Sequence, residues 1–132
     1  MKLNNQLYIW FMEELTKTEE RVMHILWKLK KAFVKDIIEA LPDEPKPPYN
    51  TISSLVRLLE KKQFVGYKAY GKTHEYFPLI TKSEYRKASF KSMLAGYFDN
   101  STENLLSFIV KEQKFSKEEL KKIQDLINKN SN

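Results

Sequence analysis

The chain of 132 residues contains no cysteine and only 3 glycines. The first absence removes disulfides, zinc–thiolate clusters, iron–sulfur ligation and thiol nucleophiles together, and it suits a reducing, cytoplasmic setting. The second, in a chain that is 42% hydrophobic and 30% charged, favours a folded and mostly helical protein over a disordered one. No apolar run approaches the roughly 18 to 20 residues of a membrane span, so stable membrane association is not expected. The stretch before Leu15 is partly apolar, but Asn4, Asn5, Glu13 and Glu14 flank that part and no small-residue cleavage site follows, which argues against a signal peptide. The two histidines, His24 and His74, are far apart in sequence and neither sits at a metal-ligand spacing. With no glycine-rich phosphate loop and no nucleophile elbow either, the expectation is no metal, no cofactor and no catalytic residue.

What the chain does have is charge of one sign in one place. The net charge is +6. Residues 1 to 45 carry 7 Lys and Arg against 8 Asp and Glu, residues 46 to 92 carry 10 against 3, and residues 93 to 132 carry 6 against 6. The excess is a patch in the middle third. Such a patch suits a polyanionic partner, although solvated helix-surface lysines produce the same count.

Three segments open with the same device, Thr16-x-x-Glu19, Thr81-x-x-Glu84 and Ser116-x-x-Glu119. In each, hydroxyl and carboxylate can satisfy the orphan backbone N–H groups of a helix start reciprocally. After Thr16, Val22, Ile25, Leu26 and Leu29 follow helical spacing, with Met23 and Trp27 widening the stripe. A shorter helix is expected from Val34 to Leu41, with Ile37, Ile38 and Leu41 inward. Pro42, Pro45, Pro47 and Pro48 then impose a stiff loop.

A third helix, Pro48 to Lys62, has two unlike faces when laid out at about 100° per residue. Ile52, Leu55, Val56 and Leu59 share one side, while Asn50, Ser53, Ser54, Arg57 and Lys61 share the other, with Thr51 at the border. Phe64 to Tyr70 and Thr73 to Phe77, joined through Gly71-Lys72, read as a β-hairpin that Pro78 ends. The order helix, helix, polar-faced helix and hairpin is that of a winged helix-turn-helix. A helix fits the major groove of double-stranded DNA and a basic hairpin lies against adjacent phosphates. Asn50, Thr51, Ser53 and Ser54 are the groove candidates, with Arg57 reaching a guanine or clamping a phosphate. Lys61, Lys62, Lys68 and Lys72 are phosphate candidates, with Tyr70 beside them near the hairpin tip, and His74 either touches phosphate or fills a strand position. A protein–protein adaptor that docks an acidic partner on the same surface is the alternative.

From Thr81 the pattern is helical, with breaks near Asp99 to Ser101 and near Phe115. Phe90, Leu94, Tyr97, Phe98, Leu105, Leu106, Phe108, Ile109, Leu120, Ile123 and Ile127 are more apolar surface than some 50 residues bury alone. A second copy of the chain is the simplest partner, so these are the dimer-interface candidates. The expected architecture is therefore mainly α, a winged-helix DNA-binding domain over residues 1–80 and a helical dimerisation region over residues 81–132.

Leu15-Thr16-x-x-Glu19-x-x-Val22-Met23-x-Ile25-Leu26-Trp27, Tyr49-Asn50-Thr51-Ile52-x-x-Leu55-x-Arg57-Leu58-Leu59-Glu60-Lys61-Lys62 and Tyr76-Phe77-Pro78-Leu79 together resemble the penicillinase-repressor (BlaI/MecI/CopY) family over about residues 15 to 128. The resemblance implies a cytoplasmic bacterial repressor, a winged-helix homodimer that pairs through its C-terminal helices and binds palindromic operators. It also implies, for the β-lactam-responsive members, relief through a membrane sensor-peptidase pathway that ends in cleavage before a phenylalanine, here Ser107-Phe108. The family has Asn where this chain has Ser107, and helical spacing favours a plain dimer-core role for Phe108 over a cleavage site. Gln63 stands where the family usually has Gly, so the helix before it either ends in a strained left-handed residue or ends differently. The copper-responsive branch is set aside, because its metal-binding cysteines have no counterpart here.

Overall fold

The computed structural model describes residues 14 to 131. The N-terminal stretch considered above for a signal peptide lies, up to residue 13, outside the described residues. The chain divides into two compact units, one ending at Ser89 and the other beginning at Phe90. The first holds α1 (Lys17–Leu29), β1 (Ala32–Phe33), α2 (Val34–Ala40), α3 (Tyr49–Lys61), β2 (Val65–Tyr70) and β3 (Thr73–Pro78), together with the start of α4 (Lys82–Phe98). The remainder of α4, α5 (Thr102–Glu112) and α6 (Lys117–Asn130) make up the second. The architecture is mainly α and follows the expected winged helix-turn-helix order, with further helices after the hairpin.

All three helix-start devices form. Thr16 Oγ1 accepts from the Glu19 backbone N–H at 3.2 Å while Glu19 Oε1 accepts from Thr16 N–H at 2.8 Å. The pair at Thr81 and Glu84 closes at 3.0 and 3.1 Å, and the pair at Ser116 and Glu119 at 3.1 and 3.2 Å. Val22, Met23 and Leu26 of α1 are fully buried, as their spacing requires. Leu29 departs from that stripe and is 42% exposed. It is the last helical residue, and the chain turns away at Lys30, whose φ of 74° ends the helix.

The sheet runs β1-β3-β2, all antiparallel, with β3 in the centre. Tyr70 pairs with Thr73, so Gly71-Lys72 is a two-residue connection, and Gly71 supplies the positive φ of 63° that it needs. β1 was not legible in the sequence, because two residues show no alternation; Ala32 and Phe33 pair with Tyr76 and Glu75. Strand alternation puts Ala32, Val65 and Tyr76 on one face, and all three are buried. They close a core with Ile37 of α2, Ile52, Val56 and Leu59 of α3, and Phe64.

The end of α3 resolves the two alternatives for Gln63. Lys62 caps the helix, Gln63 takes φ 68°, and the N–H groups of Phe64 and Gln63 donate to Leu59 and Glu60 carbonyls, each at 2.9 Å. This is a Schellman closure, and its accompanying apolar contact is between Leu59 and Phe64, both fully buried. A side chain sits where glycine is favoured. Gln63→Gly should therefore stabilise the protein by about 1 kcal/mol in urea denaturation, whereas Gln63→Ala, which keeps the Cβ, should show no such gain.

The same helix end carries a buried ion pair. Lys62 Nζ donates to both carboxylate oxygens of Glu19, at 3.1 and 2.9 Å, and the Glu19 side chain is only 3% exposed. This corrects the assignment of Lys62 to phosphate, since its ammonium is held between α3 and the start of α1. Burial of Glu19 raises its pKa, but hydrogen bonds from Lys62 and Thr16 outweigh that and leave the carboxyl below its ordinary value. The unfolded chain thus takes up protons first as the pH falls through the carboxylate range, so this contribution is complete at neutral pH and is lost on acidification. Lys62→Met should cost about 3 kcal/mol at neutral pH by stranding a buried carboxylate. Adding Glu19→Gln, which keeps the capping box without the charge, should recover part of that loss and flatten the acid limb of the stability–pH profile. Urea titrations of both variants between neutral and acidic pH check this.

Candidate nucleic-acid interface

α3 is aimed by the segment before it. Lys46 Nζ donates to the Leu41 carbonyl at the end of α2 and to the Glu39 carbonyl at 3.2 Å, and Arg21 of α1 pairs with Asp43. Pro48 then starts α3, its carbonyl accepting from Thr51 at 3.1 Å and from Ile52 at 3.4 Å. The helix has no side-chain cap and no acidic residue in its first turn. Its positive dipole end is thereby left without a carboxylate of its own, a setting that favours an external anion.

Ile52, Val56 and Leu59 are buried and Leu55 is half-buried, which turns the opposite side of α3 outward. Asn50, Thr51, Ser54, Arg57 and Lys61 are all exposed. They form a continuous face, with short polar groups in the first turns and long cations after them. Ser53 does not belong to it. It lies about 100° round from Ile52, at the margin of the apolar side, and is only 9% exposed. Two residues that the polarity pattern missed join the rim instead, Tyr49 at the first turn and Leu58, both roughly half exposed. Leu58 follows Thr51 by two helical turns, so the two share an edge of the face. The helical wheel contains this position, but a face picked out by polarity alone passes over an apolar residue.

Strand register sorts the hairpin residues. Lys68 and Tyr70 share the face opposite to Val65 and Tyr76, with the Lys68 ammonium 5.3 Å from the Tyr70 ring, and Phe33 of β1 lies 5.8 Å from Tyr70 on the same face. Lys72 occupies the turn. All three wing candidates, Lys68, Tyr70 and Lys72, are exposed. The other face carries a feature that sequence reasoning left undecided. His74 stacks on Tyr67 with centroids 4.1 Å apart and planes 9° from parallel, so its ring is held against a neighbouring strand. At the root of the hairpin, burial and then the Glu60 carboxylate push the Tyr76 hydroxyl above its ordinary pKa, against the influence of Arg57. The base of the wing and the flank of α3 thus share one electrostatic environment.

The second unit presents a different kind of surface. No residue described from Phe90 onward is buried. Leu94, Phe98, Leu105 and Ile109 are half-buried; Phe90, Tyr97, Leu106, Phe108, Leu120, Ile123 and Ile127 are exposed, Tyr97 to 82%. Phe98 and Phe108 meet edge to face at 5.4 Å. The break before α5 falls where Asp99 and Asn100 take left-handed backbone, with φ of 51° and 59°. Ser107 and Phe108 lie inside α5. Among the described residues, no helix is long and apolar enough to cross a membrane, and no group of three His, Cys, Asp or Glu side chains is placed to hold a metal ion.

Comparison with known proteins gives this geometry a context. The methicillin resistance regulatory protein MecI of Staphylococcus aureus (strain N315) is 26% identical over 116 residues, covering 88% of this chain and 94% of that protein. Among solved structures, the DNA-binding domain of the repressor BlaI is 24% identical with a TM-score of 0.49, covering 56% of this chain and 90% of that one. The CopR repressor structure is 28% identical with a TM-score of 0.43, covering 52% and 99%. A family model described as penicillinase repressor matches residues 15–129. The chain accordingly belongs to the penicillinase repressor family, whose members are transcriptional repressors and not enzymes.

Proposed function

We propose that the chain is a cytoplasmic, homodimeric, sequence-specific DNA-binding repressor that occupies palindromic operators. The observation that carries this reading is the outward face of α3, where Asn50, Thr51, Ser54, Arg57 and Lys61 are exposed opposite the apolar side of buried Ile52, Val56 and Leu59. Asn50, Thr51 and Ser54 are short enough to bring the helix close to base edges, and Leu58 on the same edge suits a thymine methyl group. Arg57 reaches a guanine or a phosphate. Lys61 on α3, and Lys68, Tyr70 and Lys72 on the wing, set register on the backbone, their binding driven by counterion release. The open N-terminus of α3 is a further place for a phosphate.

In this reading, residues 1–80 read DNA and residues 81–132 pair two copies. The eleven apolar candidates from Phe90 to Ile127 are left without a core of their own, and burying them against a second copy removes apolar area from water at about 25 cal/mol per Å². Light scattering of the full chain at micromolar concentration should give twice the chain mass; a monomer would remove the basis for paired half-sites. Relief by cleavage at Ser107-Phe108, through a membrane sensor-peptidase pathway, belongs to the same reading. Because the bond lies within a helix, scission requires α5 to open locally. It would sever Phe108 and α6 from α4.

Fluorescence anisotropy with DNA from upstream of the protein's own gene tests the assignment. Affinity should fall as salt rises, and Arg57→Ala with Lys72→Ala should lower it by about tenfold or more without altering the melting temperature. Unchanged affinity in that variant removes the role given to α3 and the wing. Equal binding to unrelated competitor DNA favours instead an adaptor that docks an acidic protein on this surface.

A further inference from the structure

Between α1 and the segment leading from β3 into α4 lies an open groove of about 780 Å³, and none of the residues assigned above to DNA lines it. Its floor is Trp27. The indole N–H already donates to the Ile80 carbonyl at 2.8 Å, and the ring is wedged by Tyr85 at 5.7 Å and by His24 edge-on at 5.3 Å. It therefore presents a fixed, flat apolar face with its polar atom satisfied. Leu79, also lining the groove, is 48% exposed and adds aliphatic surface.

The rim is cationic. Lys28, Lys30 and Lys82 line the groove and are exposed, and among the described residues no carboxylate lines it. The acid closest in sequence to the Thr81 wall, Glu84, is turned back onto the Thr81 backbone N–H at 3.1 Å. An aromatic side chain held in place among three exposed lysines favours a ligand that brings one negative charge and a flat apolar body, and the volume falls in the range of about 300 to 1,000 Å³ typical of small-molecule sites. We propose that this groove binds a small organic anion, in its simplest form an aromatic carboxylate. An inorganic anion would leave the Trp27 and Leu79 surfaces unused, and a neutral aromatic would leave the lysines unanswered.

Isothermal titration of the full chain with 1-naphthoate and with its neutral amide, 1-naphthamide, reads this directly. The carboxylate should bind saturably, one per chain, and the amide at least about fivefold more weakly. Lys28→Ala with Lys82→Ala should weaken naphthoate by at least about fivefold, while Lys68→Ala with Lys72→Ala on the wing should not change it. The proposal is overturned if no saturable binding occurs, if the amide binds as tightly, or if the Lys28/Lys82 variant keeps its affinity. Displacement of naphthoate by an equal concentration of inorganic phosphate would also overturn it, by reducing the groove to a general anion patch.

Discussion

One carboxylate, that of Glu19, ties the ends of two helices together. It completes the capping box at the start of α1 and holds the ammonium of Lys62 at the end of α3, with its side chain almost wholly removed from water. A buried pair of this kind contributes little net stability compared with apolar packing of the same volume, yet breaking it from one side is expensive. Its value is geometric. It fixes the C-terminal end of α3 against α1 while the Schellman closure at Gln63 fixes the direction in which the chain leaves toward β2. The N-terminal end is fixed by the Lys46 bonds to the end of α2 and the Pro48 start. A helix held at both ends keeps one face outward, and every contact proposed for DNA depends on that.

The distribution of charge and apolar surface divides the labour along the chain. The basic excess of residues 46 to 92 falls on α3, the wing and the start of α4, where Arg57, Lys61, Lys68 and Lys72 are exposed. Residues 93 to 132 carry as many acids as bases, and no residue described from Phe90 onward is buried; Phe98 on Phe108 is a contact between two helices of the second unit. In the proposed dimer such a unit would gain its core by pairing. Linking two readers through that proposed core would turn two weak half-site encounters into one strong one.

Much of this was legible in the residues because local chemistry and tertiary structure agree. The three Thr/Ser-x-x-Glu devices, the apolar stripe of α3 and the glycine turn of the hairpin each specify their element without help from distant parts of the chain. Where distant parts decide, the sequence was silent or misleading. Lys62 reads as one more cation of a basic helix until the fold brings Glu19, 43 residues earlier, beside it. Ser53 reads as polar and outward, but the fold covers the margin of the helix on which it lies. Ala32–Phe33 becomes a strand only because β3 is there to pair with it. Leu58 belongs to neither the polar nor the inward set that polarity picks out, and its position beside Thr51 turns it to the surface.

The central claim is that two copies of one outward helix face read DNA together. Selection of bound sequences from a random double-stranded pool, using the full chain, tests it most directly. The account predicts enrichment of an inverted repeat whose half-sites are centred about 10 base pairs, or a multiple of that, apart. Enrichment of a single unrepeated motif, or of no motif at all, would contradict it.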